Sequence, residues 1–410
     1  MIRITPAQVH PIGLDIGSDS VKMLQLERVG DSLSVLAAAR QPLPSEARLE
    51  PQLRMAMAAE VVRQMLRTRG FRGTEVVACV PRDILQIKTL RLPQTAAIEL
   101  PAVVRSAAKG ALPFDPAEAH LQFMPAGEVR QGSEVQQEII LMAARHSEIN
   151  SFLESLHRCG ATVNSLDVEP CALYRTTDKF IRRHEDELEV NVLVQVGLER
   201  TQVVIGRGHD ISFIKVIDVG GRHFHEAVSR KLGITSDEAQ ALRRRLAETP
   251  DAHDPGAKRD PVRQAAFDAT RCVMEDLGRE ISLSLRYHSV TFRGQRPSRL
   301  KLIGGEAGDK HLETTLRASL SIPIDIGRPL HSIDTSRMMP IDRRGSMSEW
   351  TLVLGLALKR TQGLFGPRDG KPRDPTGPRP DLPSASTPGQ RLANLNRAMK
   401  AEAQKEPVHA

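Results

Sequence analysis

The stretch that most constrains this chain runs from Ile12 to Leu26, Ile-Gly-Leu-Asp-Ile-Gly-Ser-Asp-Ser-Val-Lys-Met-Leu-Gln-Leu. An apolar run ends on Asp15, turns through Gly17, Ser18, Asp19 and Ser20, and resumes with Val21, Met23, Leu24 and Leu26. That pattern is a hairpin with a small, hydrogen-bonding tip. Gly17 lets the backbone approach a ligand with no Cβ in the way, Ser18 and Ser20 offer hydroxyls, and the N–H groups of the tip suit phosphate oxygens. Asp15, an acid at a strand end, is placed to hold a hydrated Mg2+. A plain surface hairpin satisfies the same local pattern, so the choice rests on the rest of the chain.

A chain of 410 residues is long enough for two or three packed units. Its 40% hydrophobic and 26% charged content is that of an ordinary globular protein. The net charge of +7 invites a nucleic-acid reading, but only 3% of residues are aromatic and the basic residues are interspersed with acids, so base stacking is poorly supplied. Cys79, Cys159, Cys171 and Cys272 lack metal-ligand spacing and read mainly as small core residues in a reducing compartment. No stretch approaches the apolar length of a bilayer span, and the opening Met-Ile-Arg-Ile-Thr-Pro lacks the apolar core of a signal peptide. A cytoplasmic location is therefore expected.

After the hairpin, the pattern predicts a strand over 34–39, a helix over 51–69 and a buried strand over 76–80 closed by Pro81. A change of texture from Leu85 suggests an inserted α+β unit: strands at Ile87 to Leu90, 121–125 and 138–144, with helices over 97–110 and 147–159. A strand over 163–168 returns, and Glu169-Pro170 opens a helix, placing the Glu169 carboxylate where a strand meets a helix N-terminus. Capping and the orientation of water towards a phosphate are equally served there. Strand, Gly197 turn, strand over 190–205 repeats the order of 12–26, which implies an internally duplicated fold with a cleft between its halves. Further strands are expected over 211–219 and 300–303, the latter running into Gly304-Gly305, a turn on whose bare backbone a flat base can lie. Helices are expected over 224–232, from Ser236 as N-cap to Leu246, over 262–287, over 312–320 and over 350–359. Beyond Gln362, Pro, Gly, Ser and charge dominate, predicting a disordered basic tail with a short helix over 389–403.

Taken together, these motifs resemble the PilM family, actin-like cytoplasmic ATP-binding proteins of type IV pilus assembly related to FtsA. The resemblance rests on Gly13-Leu-Asp-Ile-Gly-Ser18 with Ser20-Val-Lys22, on Asp167-Val-Glu-Pro170, on Gly220-Gly221 followed by Lys231-Leu-Gly-Ile234, on Leu302-Ile-Gly-Gly305 and on Leu354-Gly-Leu-Ala-Leu358. It implies an α/β actin-like ATPase fold: a first ribonuclease-H-like lobe over 1–83 and 166–189, an inserted α+β subdomain over 84–165, and a second lobe over 190–361, ahead of the tail at 362–410. It also implies ATP and Mg2+ between the lobes. Asp15, Gly17, Ser18, Ser20 and Lys22 would form the first phosphate loop, with Asp15 holding Mg2+ through water, and Gly197 would belong to the second loop. Glu169 would orient water, Gly220 and Gly221 would line the nucleotide, Gly304 and Gly305 would hold the adenosine, and Lys231 would approach the ribose or base. The implied partner is the cytoplasmic N-terminal peptide of PilN, an inner-membrane protein, held in a groove beside the insert. That places the chain at the inner face of the inner membrane, on a pilus or type II secretion platform. Leu121, Phe123 and Met124 are candidate peptide contacts, although apolar residues at strand spacing are more often core.

One loop departs from the family. Where Asp-Ile-Gly and small hydroxyl residues are expected, this chain has Gln195-Val-Gly-Leu-Glu-Arg-Thr201. A neutral amide replaces the metal-positioning acid, and the tip is bulky and charged. The expectation is a scaffold with weak or absent ATP hydrolysis. An active ATPase or sugar kinase of the same superfamily, and an FtsA-like division protein, are the alternatives.

Overall fold

The computed structural model describes residues 7–30, 32–131, 134–177, 184–248, 260–292, 296–338 and 345–360. The expected tail and its short helix lie outside the described residues, as does most of the polar loop around His253.

The chain opens with β1 (Gln8–Val9), β2 (Ile12–Ile16), β3 (Ser20–Val29), β4 (Ser32–Pro42), α1 (Glu46–Leu49), α2 (Pro51–Thr68) and β5 (Glu75–Cys79). Next come β6 (Gln86–Pro93), α3 (Leu100–Ala111), β7 (Ala119–Gln131), β8 (Glu134–Arg145), α4 (His146–Arg158), β9 (Thr162–Asp167) and α5 (Glu169–Arg175). The second half holds α6 (His184–Leu188), β10 (Val190–Val196), β11 (Thr201–Arg207), β12 (Asp210–Ile217), α7 (Gly221–Leu232), α8 (Ser236–Glu248), α9 (Pro261–Thr291), β13 (Arg299–Ile303), α10 (Lys310–Ser319), β14 (Ile324–Ile326) and α11 (Thr351–Ala357).

Two sheets share one plan. In the first, β4, β3 and β2 form an antiparallel meander, β1 pairs β3, and β5 and β9 add in parallel beside β2. In the second, β12, β11 and β10 form the meander, and β13 and β14 add in parallel. The duplicated order expected from the sequence is thus present as topology. Each sheet is also capped by a helix from the other half. α5 packs Ala172, Leu173 and Tyr174 against Leu193, Val204 and Ile211 of the second sheet, while Val353 and Leu354 of α11 pack on Leu24 and Leu26 of the first. The two helices meet where Gly355 sits so close to the Ala172 carbonyl that an added Cβ would lie 1.8 Å from its oxygen. No larger residue fits there without separating the halves.

A third sheet, β6-β8-β7, forms the insert. Its strands alternate as the pleat requires. Leu121, Phe123 and Leu141 face Val104 and Ala108 of α3, whereas Met124, Ile140 and Met142 face the shared base of the two large sheets. The three candidate peptide contacts in β7 are therefore core, each at most 5% exposed.

Two local expectations change. The helix read as closing the insert, α4, instead sends Phe152 and Leu156 into the first sheet's core beside Val62 and Met65 of α2. Its apolar spacing marks it as amphipathic but does not say which sheet it covers. The cap of α8 is Thr235 rather than Ser236: Thr235 N–H donates to Glu238 Oε2 at 2.8 Å, and Glu238 N–H donates to Thr235 Oγ1 at 3.2 Å. This reciprocal pair satisfies two donors where a lone serine would satisfy one.

Candidate functional site

Both meanders turn at the same height. Gly17 N–H donates to the Ser20 carbonyl at 3.1 Å, and Gly197 N–H donates to the Arg200 carbonyl at 3.0 Å. Asp15 lies opposite Lys22 in the first hairpin just as Gln195 lies opposite Gln202 in the second. Both tips, and the turn after β13, line one cleft of about 1920 Å³. This exceeds the few hundred to about 1,000 Å³ of common small-ligand pockets. Among the described residues, the N–H groups of Ser18, Asp19, Leu198 and Glu199 find no acceptor in the protein. Such unclaimed N–H groups at a turn make an anion seat.

Of the residues singled out from the sequence, Asp15, Gly17, Ser18, Ser20, Lys22, Glu169, Gly197, Gly304 and Gly305 line this cleft. Gly304 has φ +99°, and its Cβ position would be 2.5 Å from the Val196 carbonyl oxygen, so the β13 turn is pressed onto the exit of β10. Ser348, ahead of α11, holds that turn by donating its hydroxyl to the Gly304 carbonyl at 3.1 Å. Gly220, Gly221 and Lys231 are not among the lining residues. Gly220 lies behind the second tip, with its Cβ position 2.6 Å from the Leu198 carbonyl oxygen, and Gly221 backs onto Glu306. Lys231 is exposed near the far end of α7. The glycine pair thus shapes the tip from behind, and the lysine lies outside the cleft lining.

The cleft also contains groups the sequence reading passed over. From α8, Gln240, Arg243 and Arg244 reach it. Arg243 pairs with Glu306 at 2.8 Å and with Asp309, beside the Gly304-Gly305 turn. Burial opposes its charge, but these two carboxylates outweigh burial and raise its pKa. Its neighbour His225 at 2.9 Å is driven down to about 3 by burial and by Arg243, so the ring is neutral. Asp19, on the first tip, gathers Arg40 at 3.2 Å, Arg48 at 3.4 Å, Arg244 at 3.0 Å and the Gln240 amide at 3.1 Å. Burial alone would raise the Asp19 pKa; Arg244, Gln240, Arg40 and Arg48 together pull it below the ordinary range. This network ties the first hairpin to α8 across the cleft. A run of three arginines on an amphipathic helix, Arg243 to Arg245, was the available signal.

At the centre stands Arg82, on the turn that follows β5. Its Nε and Nη2 both donate to the Glu169 carboxylate, and Gln195 Nε2 donates to Glu169 Oε1 at 2.5 Å. Three segments, one from each sheet and one from α5, therefore converge on one carboxylate. The signal for Arg82 was its position just past the C-terminal end of a buried parallel strand, where ligands of open α/β sheets collect. Asp15 is paired as well, with Lys22 at 3.4 Å. Among the described residues, no three His, Cys, Asp or Glu side chains are arranged to hold a metal ion. Mg2+ is commonly held by one or two carboxylates with water and phosphate, and the two strand-end carboxylates here, Asp15 and Glu169, are each engaged by a cation of the chain. Cys79, beside this cluster, has its thiol pKa raised well above the usual value by burial and by Glu169, and all four cysteines are free.

Among the described residues, no helix is long and apolar enough to cross a membrane. A PilM-PilN type IV pilus biogenesis complex aligns with TM-score 0.70 at 23% identity, over 85% of this chain and 98% of that one. The ethanolamine utilization protein EutJ from Carboxydothermus hydrogenoformans aligns with TM-score 0.48 at 12% identity, over 87% of this chain and 92% of its own. MreB 5 of Spiroplasma citri bound to AMPPNP gives 0.46 and 12%, over 87% and 96%. The sequence pattern of the family described as type IV pilus assembly protein PilM matches residues 13–361. The chain, built on the actin-like ATPase fold, belongs to the PilM family of type IV pilus assembly proteins.

Proposed function

We propose that this protein is a nucleotide-binding scaffold of a pilus or type II secretion-like platform, holding the cytoplasmic N-terminal peptide of a PilN-like inner-membrane protein, with hydrolysis weak or absent. One observation carries the nucleotide part: the tips at Gly17 and Gly197 and the Gly304-Gly305 turn line a single cleft with unclaimed N–H groups. Family membership and the likeness to a PilM-PilN complex support the partner. Membrane association is then indirect, through that partner, and the chain itself works at the inner face of the inner membrane.

Within this reading, ATP seats its phosphates between the two tips and its adenosine against Gly304 and Gly305. Binding favours the closed arrangement of the lobes, and the insert, whose sheet packs on their shared base, transmits that preference to the peptide groove. Gln195 and the bulky second tip favour retention of nucleotide over turnover. Titrating the full chain with a synthetic peptide of the PilN-like N-terminus, with and without ATP, tests both halves. Peptide binding that tightens severalfold with ATP, with no steady phosphate release, is the expected result. Absence of peptide binding in either condition contradicts the scaffold, and steady turnover contradicts the retention of nucleotide.

A further inference from the structure

The acid that resemblance assigns to water and the acid it assigns to Mg2+ are both already neutralised by cations of this chain. Glu169 accepts from two nitrogens of Arg82 and from the Gln195 amide, which saturates one of its oxygens. Asp15 is paired with Lys22 at 3.4 Å. Mg2+ asks for one or two free carboxylates and near-octahedral geometry, with its remaining positions filled by water and phosphate. Here it would have to displace a fixed guanidinium from Glu169, or sit beside that guanidinium and be repelled by it. Gln195, whose counterpart in the first hairpin is Asp15, adds no negative charge to attract the ion.

We propose that the cleft takes the polyphosphate of a nucleotide without a divalent cation, Arg82 supplying the positive charge that Mg2+ would otherwise bring. The proposal rests on the nucleotide reading above and deepens it. Arg82 is suited to this. Two of its five N–H donors suffice for the Glu169 fork, leaving the others for phosphate oxygens, and a guanidinium keeps its charge at every physiological pH. Glu169 and Gln195 then act as positioning residues that fix the direction of the guanidinium. Lys22 and the unclaimed N–H groups of both tips complete an anion seat made wholly of protein donors. Such a seat binds phosphate but lacks the metal that would neutralise charge developing on a leaving group, consistent with slow hydrolysis.

The test is equilibrium binding of ATP to the full chain, by calorimetry, in EDTA and in excess Mg2+. The expected result is a Kd that differs by less than about threefold between the two. Arg82→Ala should weaken binding in EDTA by about tenfold or more, and Mg2+ should then recover part of the loss because Glu169 has been freed. Arg82→Lys, which keeps the charge without the fork, should fall between them. Wild-type binding that needs Mg2+ by more than about tenfold overturns this inference and leaves the nucleotide reading standing. No binding in either buffer overturns both. An Arg82→Ala protein that melts like the wild type and binds equally well in EDTA removes Arg82 from the account.

Discussion

The two hairpin tips have the same backbone and opposite chemistry. Each closes with a glycine N–H donating to the carbonyl three residues on, at 3.1 Å in the first and 3.0 Å in the second. Each also stands at the end of a strand flanked by an antiparallel and a parallel neighbour. Yet the first presents Ser18, Asp19 and Ser20, and the second Leu198, Glu199 and Arg200. Asp19 reaches across to α8, whereas Glu199 pairs with Arg222 at 2.8 Å within its own half. Backbone hydrogen bonds and a glycine suffice to preserve the geometry of a turn. Side chains can then diverge until one copy ties the halves together and the other does not.

The largest difference should appear in how firmly each tip is backed. A methyl group at Gly220 would meet three backbone atoms of the second tip at 2.6–2.7 Å, none of which can yield. Gly220→Ala should cost about 3 kcal/mol in urea denaturation. Gly17→Ala meets one tight contact, the Ser20 carbonyl oxygen at 3.2 Å, with the Asp15 carboxylate at an ordinary 3.9–4.0 Å, and should cost under about 1 kcal/mol. Equal losses would show that the second tip is no more supported than the first.

Removing the two acids comes next. Asp19→Asn weakens three arginine contacts on one carboxylate at once, two of them to arginines more than a third exposed, and should destabilise by about 1 kcal/mol. Glu199→Gln, which loses a single part-buried pair with Arg222, should stay within about 0.5 kcal/mol. Parity between these variants in the same denaturation assay would dissolve the contrast.

Acid titration separates the two sides of the cleft by pH. His225 binds its proton near pH 3 when folded but near 6.5 when unfolded, so the unfolded chain gains a proton first and stability falls as pH drops below 6.5. The slope approaches about 1.4 kcal/mol per pH unit. Asp19 has a depressed folded pKa, so its contribution is intact above its ordinary value of 3.8 and is lost only as pH falls below it. Stability curves between pH 6.5 and 4.5 should therefore be flatter for His225→Gln than for the wild type, and identical slopes would mean the ring is not held neutral. The smallest effect concerns the tip itself: Leu198→Ser, which gives the second tip the residue of the first, should tighten ATP by about threefold without altering stability.

Much of the fold was legible because its determinants are periodic. The alternation in β3 and β10, the glycines at both bends and Pro170 after a buried strand each dictate local structure by sterics. The choice of sheet for α4 was not legible: an apolar stripe of Ile149, Phe152 and Leu156 fits either the insert or the first lobe, and only three-dimensional packing decides. At the site, the turns that line one cleft could be read from Gly17, Gly197 and Gly304. Arg82, Gln240 and Arg243 could not be assigned, because a charged residue on a turn or helix face looks solvated until the opposite half of the molecule is placed beside it. Lys231 shows the converse: the resemblance set it near the ribose or base, and it lies exposed near the end of α7, outside the residues that line the cleft.

In the proposed complex, both tips and the Gly304-Gly305 turn contact one ligand. Hydrogen exchange of the full chain, followed by mass spectrometry with and without ATP, tests it most directly. Peptides spanning Ser18 and Asp19, Leu198 and Glu199, and Gly304 and Gly305 should gain protection together, with the same dependence on ATP concentration. Protection at one tip alone, or at neither, would contradict it.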